Sequence, residues 1–408
     1  MPSDTSKNPA VTRRRVFYIP GYDPIPPRRY RELFRSESMA QAEISGYQIG
    51  ITAKTGDGPY GWQVDAVMDG ARVRADVDVL VWSDIVQNSM DASILATYAQ
   101  LVRTAWIYIS TGTLGRLMRL RKGPVIAAFY PVGMLLLQLA IALTAFWITC
   151  KVTIEIMGLP AILGLILAGG LSWTLLRQFK AWDSRFFAYY LMHDYAFSAA
   201  SYGANTPEME QRIAEFTQTI VQAFSEEVDE VLVVGHSSGA HIAVSVLADL
   251  IRSGQVSKSG PKLAFLSLGH VVPMVSFLPN AFRLRADLHF LSAQEVVTWL
   301  DVSAPGDGCA FALCDPVSVS GVAPADKRWP LVISAAFSQT LSPARWKALR
   351  WRFFRLHFQY MCAFDQPRDY DYFQITAGPV TLQDRFDGRA ASKSRIDQPH
   401  SKFTSLVP

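Results

Sequence analysis

Two stretches without a charged residue constrain this chain most. GPVIAAFYPVGMLLLQLAIALTAFWITC runs from Gly123 to Cys150, and IMGLPAILGLILAGGLSWTLL runs from Ile156 to Leu176. As a helix rising about 1.5 Å per residue, each is long enough to cross a hydrocarbon core of about 30 Å. Only Lys151 to Glu155 separate them, so the pair is expected as an antiparallel hairpin. Its outer ends carry Arg116, Arg119, Arg121 and Lys122 on one side and Arg177 and Lys180 on the other, while the link has Lys151 as its one basic residue. The positive-inside rule then puts both outer ends, both termini and all that lies between in the cytoplasm. Trp147 and Trp173 stand near segment ends, where interfacial anchors sit. Gly158 and Gly169-Gly170 allow close helix contact and, with it, a homo-oligomer formed through the hairpin.

The remaining sequence is that of a folded soluble body. The chain has 408 residues, 50% of them hydrophobic, which is enough for a full-sized core. Net charge is only +4 and the charges are scattered, so no nucleic-acid partner is expected. The four cysteines, Cys150, Cys309, Cys314 and Cys362, show no C-x-x-C spacing. That argues against a disulfide framework and a zinc site and fits a reducing compartment. The opening MPSDTSKNPAVTRRR is polar, with no apolar core of a signal peptide.

Strand-like runs occur on both sides of the hairpin: 16–19, 47–53, 62–68 and 77–82 before it, and 231–234, 263–268 and 296–302 after it. Gly56-Asp57-Gly58 reads as a turn. Thr206-Pro207-Glu208 carries helix-start signals for a helix reaching about Glu227. Residues 184–200 and 343–360 read as helical. The segment 92–110, with Leu95, Leu101, Val102, Trp106 and Ile109, is amphipathic and fits either the membrane surface or a core-facing helix. Strands alternating with helices predict a mostly parallel α/β sheet flanked by helices. The expected division is a disordered 1–14, a first part of the body at 15–91, a membrane insertion at 92–183 with spans near 123–150 and 156–176, a second part at 184–384, and a flexible tail at 385–408.

The chemistry centres on VLVVGHSSGAHIAV, residues 231–244. An apolar run precedes Gly235-His236-Ser237-Ser238-Gly239, and helix-spaced apolar residues follow it. This is G-x-S-x-G in the context of a nucleophile elbow. There the serine sits on a sharp, strained turn that only small neighbours permit. The helix behind it turns its positive end toward a developing oxyanion. Such a serine needs a base, and the base needs an acid that holds one tautomer.

In the elbow arrangement the order is Ser, acid, His, so the partners lie downstream. Asp307, in the Pro305-Gly306-Asp307-Gly308 turn after a strand, is the expected acid, with Asp301 as rival and Asp315 behind it. His357, in RLHFQY, is the expected base, with His270 as alternative. His289 precedes the acid, His400 is in the tail, His236 packs beside the serine, His241 is on the next helix and His193 precedes the serine. An oxyanion hole is expected from the N–H of Ser238 and that of Tyr22, on an early loop where Gly21 lets backbone come close.

These residues, the elbow at 235–239, Pro20-Gly21-Tyr22, Asp307 and His357, give the chain its likeness to the α/β-hydrolase superfamily, in its lipase and esterase-like branches. The resemblance covers roughly 16–90 and 184–380. It implies a Ser237-His357-Asp307 triad, no metal, no cofactor, and ester, thioester or amide substrates. Two departures stand out: Pro20-Gly21 replaces the His-Gly of many relatives, and a transmembrane hairpin interrupts the body. The expectation is a membrane-anchored serine hydrolase working on a small-molecule or lipid ester, with the lipid bilayer as partner. The alternative is a non-catalytic membrane scaffold of the same fold.

Overall fold

The computed structural model describes residues 11–408, apart from Asp57, Asp91 and Lys258. Asp57, in the middle of the expected 56–58 turn, lies outside the described residues, as does most of the segment expected to be disordered. Arg13 and Arg14 do not belong with that segment, because the first strand already includes them.

Eight strands form one sheet: β1 (Arg13–Ile19), β2 (Gln48–Ala53), β3 (Gly61–Met68), β4 (Ala71–Val79), β5 (Glu230–His236), β6 (Lys262–Leu268), β7 (Val297–Ser303) and β8 (Leu331–Ser334). Their order is β2-β3-β4-β1-β5-β6-β7-β8. Only β3 runs against its neighbours; the pairs from β4 to β8 are all parallel. The central strands are apolar on both faces, as a sheet covered by helices requires. On β1, Val16 and Tyr18 enter one core while Phe17 and Ile19 enter the other, and β5 splits Leu232 and Val234 from Val231 and Val233 in the same way. One face is covered by the helices Pro207–Ala223, Gly239–Arg252 and Phe282–Ser292. The other is covered by Arg28–Ser45 and by residues from Phe337 to Phe386. Each fully buried large side chain contributes about 1.5–3 kcal/mol relative to exposure.

The register decides where loops meet. Ile19 lies opposite Gly235, and Leu268 lies opposite His236 and Val302. The turns after β1, β5, β6 and β7 therefore open at one edge of the sheet, the carboxyl edge where parallel sheets place their clefts.

The apolar insertion lies between β4 and β5. One helix, Lys122–Cys150, passes into a π-helical turn at Lys151–Ile156, and a second helix runs Ala161–Ala181. The second helix begins at Ala161, later than the 156 expected. Gly158 turns the chain through a left-handed conformation (φ +67°), and Pro160 follows, so the helix restarts only beyond it. Both are long and apolar enough to cross a membrane, and only 28% and 11% of their most apolar windows are buried by the rest of the protein. That exposure separates them from core helices of a soluble domain. Gly164 packs the hairpin, where a methyl would strike Ile154, and Ser172 Oγ donates to the Ala142 carbonyl at 2.9 Å. Gly169 and Gly170 face open space.

The helix Ile94–Ser110 is core-facing along one side and exposed along the other. Leu101 and Ile107 are buried, while Leu95, Val102, Trp106 and Ile109 are exposed. Residues 343–360 are broken into short helices at Pro343–Leu349 and Phe353–His357 and a 3-10 turn at Gln359–Met361. The polar tail expected to be flexible instead lies along the body. Ile396 bridges to Cys314, Arg285 Nε donates to the Ser405 carbonyl at 2.7 Å, and Arg116 donates to the His400 carbonyl at 3.1 Å. Backbone pairing holds what composition alone leaves loose.

Candidate active site

The β5 turn is strained in the way a nucleophile elbow requires. Ser237 has φ +55°, a region costly for a residue with a Cβ. Its N–H is tied to the Leu268 carbonyl at 2.9 Å. The two glycines are steric necessities. A Cβ on Gly235 would lie 2.8 Å from Ala240 Cα, and one on Gly239 would strike the carbonyls of Ile19 and Pro20. The Gly239–Arg252 helix thus packs directly onto the end of β1 and points its N-terminus at the cleft. Gly21 comes equally close from the β1 side, where a Cβ would lie 3.0 Å from Ser237 Cβ and 3.5 Å from its Oγ. Among the described residues, neither the Tyr22 nor the Ser238 N–H donates a hydrogen bond. Two backbone donors therefore flank the serine unspent. The Tyr22 loop is held by its side chain: its hydroxyl meets Ser89 Oγ, and the Tyr190 hydroxyl donates to the Tyr22 carbonyl.

Asp307 and His357 meet although 50 residues separate them. His357 Nδ1–H donates to Asp307 Oδ2 at 2.7 Å. The same oxygen accepts from the Tyr360 hydroxyl at 2.9 Å, and Oδ1 accepts from the Cys309 N–H at 2.9 Å. Burial pushes the Asp307 carboxyl up, but its electrostatic attraction to His357 and these hydrogen bonds outweigh it and hold the group below the usual carboxylate range. With Nδ1 protonated, His357 keeps Nε2 free as an acceptor, and Nε2 has no partner among the described residues. His357 and Ser237 are linked through their neighbours: the His236 and His357 rings stack with centroids 4.6 Å apart, and His236 Nε2–H donates to the His357 carbonyl at 3.0 Å. Ser237 and His357 form no direct hydrogen bond. Gly269, after β6, fits between the groups, since a Cβ there would lie 2.6 Å from Tyr360, 3.2 Å from His357 Cε1 and 3.3 Å from Asp307 Oδ2.

The rival residues are engaged elsewhere. Asp301 accepts from Ser267 Oγ at 2.6 Å inside the sheet, and burial raises its carboxyl to about 6. His270 Nε2–H donates to the Cys314 carbonyl at 2.9 Å, 3.8 Å from Asp301. Asp315 caps the Pro316–Val319 turn and pairs with Lys327. His289 faces the Val322 carbonyl and His400 the Gln398 carbonyl, far along the chain from the cleft loops. Burial keeps His241 neutral, its pKa lowered to about 4, and keeps His236 neutral at about 3, aided by the nearby His357 charge. His193 contacts Gln100.

Two residues at the cleft escape the sequence reading. Tyr360 shares the Asp307 carboxylate with His357; the i, i+3 spacing within RLHFQY was its signal. Asp194, on the helix Ala188–Ala199, has no ion pair or hydrogen bond among the described residues. Burial raises its carboxyl to about 7, and the nearby His357 charge only partly offsets this. No periodic pattern marks a lone acid on an aromatic-rich helix.

One ligand atom each from Asp307, Cys309 and His357 lie within 4.8 Å of one another, as metal ligands can. The donor set fits a metal poorly. The Asp307–His357 pair is already joined by a hydrogen bond, and burial pushes the Cys309 thiol well above its usual range, away from the thiolate a metal needs.

The fold and site define a mixed α/β protein whose mostly parallel sheet presents a strained serine, a histidine–aspartate pair and two unspent amides at one edge. Comparison with family models, curated proteins and solved structures gives no match to this chain.

Proposed function

We propose that this protein is a membrane-anchored serine hydrolase of α/β-hydrolase type, acting on a carboxylic ester through an acyl-enzyme. The observation that carries the reading is the 2.7 Å Asp307–His357 hydrogen bond at the same sheet edge as Ser237 at φ +55°. In this mechanism His357 Nε2 takes the Ser237 proton as Oγ attacks the substrate carbonyl. The oxyanion rests on the N–H groups of Ser238 and Tyr22, at the head of the Gly239–Arg252 helix. The imidazolium formed is stabilised by Asp307 and passes its proton to the leaving alkoxide. His357 then deprotonates water, which attacks the acyl carbonyl and returns Ser237 with a free acid.

The hairpin spans the bilayer, with the body and both termini cytoplasmic, as the basic outer ends favour. A lipid acyl ester or thioester is the preferred substrate, because anchoring keeps an apolar substrate within short reach. A non-catalytic scaffold is the second reading, favoured by the unmade Ser237–His357 hydrogen bond. The discriminating experiment is labelling of detergent-solubilised protein with a fluorophosphonate, wild type beside Ser237→Ala. The expected result is a labelled wild type and an unlabelled variant. A folded wild type that stays unlabelled would overturn the hydrolase reading.

A further inference from the structure

The segment from Lys347 to Arg355, KALRWRFFR, precedes the base by two residues. Its surface is unusual for a loop of a soluble domain. Trp351 is 72% exposed and Phe353 47% exposed. Lys347, Arg350, Arg352 and Arg355 are all exposed around them, and among the described residues none of the four is ion-paired. By contrast Arg345, just before, is paired with both Glu37 and Asp365. The Arg350 guanidinium lies over the Trp351 ring, 5.6 Å from its centroid.

The position of this segment identifies its partner. The Phe354 ring lies 5.0 Å from that of Phe187, which follows the second hairpin helix. Phe353 lies against Gly308, where a methyl would come within 3.2 Å of its ring. Gly308 in turn lies against Gly123, at the foot of the first hairpin helix. From there Ile126 and Phe129 continue an exposed apolar surface up the hairpin. Trp351, packed on Phe353, thus lies in a segment joined to both feet of the apolar hairpin, through Phe354 on Phe187 and through Phe353 on Gly308, and is ringed by unpaired cations. Aromatic rings that prefer the interface beside cations that meet phosphates are the composition a negatively charged leaflet selects.

We infer that Lys347–Arg355 is an anionic-lipid contact, with Trp351 and Phe353 seated in the headgroup region and Arg350, Arg352 and Arg355 on lipid phosphates. This rests on the reading of the hairpin as membrane-spanning. It deepens the proposed function, because the element that carries His357 is then held at the leaflet and the cleft opens toward lipid.

The test uses the full chain reconstituted in vesicles of phosphatidylcholine alone, or with roughly one third phosphatidylglycerol, each with and without bromine-labelled acyl chains. Subtracting the emission of Trp351→Phe from that of wild type isolates Trp351. The expected result is quenching of the Trp351 signal by brominated lipid, stronger in the anionic vesicles. Arg350→Gln/Arg352→Gln/Arg355→Gln should weaken the docked state by about fivefold per arginine and remove the anionic preference. Subtracting Trp147→Phe/Trp173→Phe in the same way isolates the two tryptophans of the hairpin. Quenching of those residues with none of Trp351 would overturn the proposal and leave the hairpin reading intact. Equal quenching in both vesicle types would overturn the anionic-lipid assignment. No quenching of any tryptophan would remove the hairpin reading and this proposal together. Fluorophosphonate labelling tests the hydrolase reading separately, so its failure is not confused with these.

Discussion

Replacing Asp307 by Asn tests the proposed chemistry most sharply, because the geometry leaves the amide little freedom. Asp307 Oδ1 accepts from the Cys309 N–H and Oδ2 from His357 Nδ1–H and the Tyr360 hydroxyl. An asparagine has one acceptor and one donor end. If its oxygen serves Cys309, its amino group faces His357, which must then present an unprotonated Nδ1 and carry its proton on Nε2. That tautomer cannot take a proton from Ser237. The reversed amide would bury its amino group against the Cys309 N–H, at a cost of about 1–3 kcal/mol. Roughly a sixth down to less than a hundredth of molecules would then hold the competent tautomer. Loss of the carboxylate's support for the imidazolium adds to this, and comparable exchanges lower turnover by about 10⁴-fold, or ~5.5 kcal/mol. The assay is the second-order rate of fluorophosphonate labelling in detergent, with thermal unfolding as a check on folding. The expected rate falls by at least tenfold and toward the larger figure. A folded variant labelled within about threefold of wild type, while Ser237→Ala stays dark, would refute the argument and direct attention to Asp194 as the group that supports His357.

Two further outcomes follow from the same structure. Asp194→Asn should stabilise the protein at pH 8 and do so progressively less as pH falls toward 4: the folded carboxyl, raised to about 7, holds a proton that the unfolded chain releases near 4, so the wild type loses stability as pH rises through that window. Differential scanning fluorimetry of both proteins across pH checks this, and a gain that is larger at pH 5 than at pH 8 would contradict it. Gly239→Ala should lower the unfolding temperature by several degrees and slow labelling more than a hundredfold, because its methyl would press on the carbonyls of Ile19 and Pro20 and displace the loop that carries the Tyr22 N–H.

The strained turn at Ser237 was legible because its mechanics leave a mark: only glycine fits at 235 and 239, and those glycines stand beside an apolar, Val-rich run. The Asp307 and His357 readings came from order along the chain, which a shared sheet edge imposes. What escaped was set by tertiary contacts. Asp301 lies inside the strand-like run 296–302 and Asp307 just after it, but nothing local says that Asp301 would be spent on Ser267 Oγ within the sheet while Asp307 reaches His357. The short β8 and the helix Phe282–Ser292, whose FRLRADLHFLS mixes charge with apolar residues, lack a clean period. The place of β2 and β3 at one edge is a matter of topology, which no local run encodes. The tail was misjudged on composition, since it is held by backbone bonds to Leu313, Asp315 and Val319.

The place of β1 in the sheet sets a timing problem for synthesis. One side of β1 is paired by β4 as soon as residue 79 is made, but the other waits for β5, which begins at Glu230. The buried ion pair that staples the two strands, Arg14 Nε to Glu230 Oε2 at 2.6 Å, joins residues 216 apart. At roughly 5–20 residues per second, the nascent half-sheet exposes an open apolar edge for about eight to thirty seconds. In that interval the ribosome delivers the apolar hairpin. On the proposed membrane-spanning reading of the hairpin, a chain docked at the membrane during translation would keep that edge away from other nascent chains.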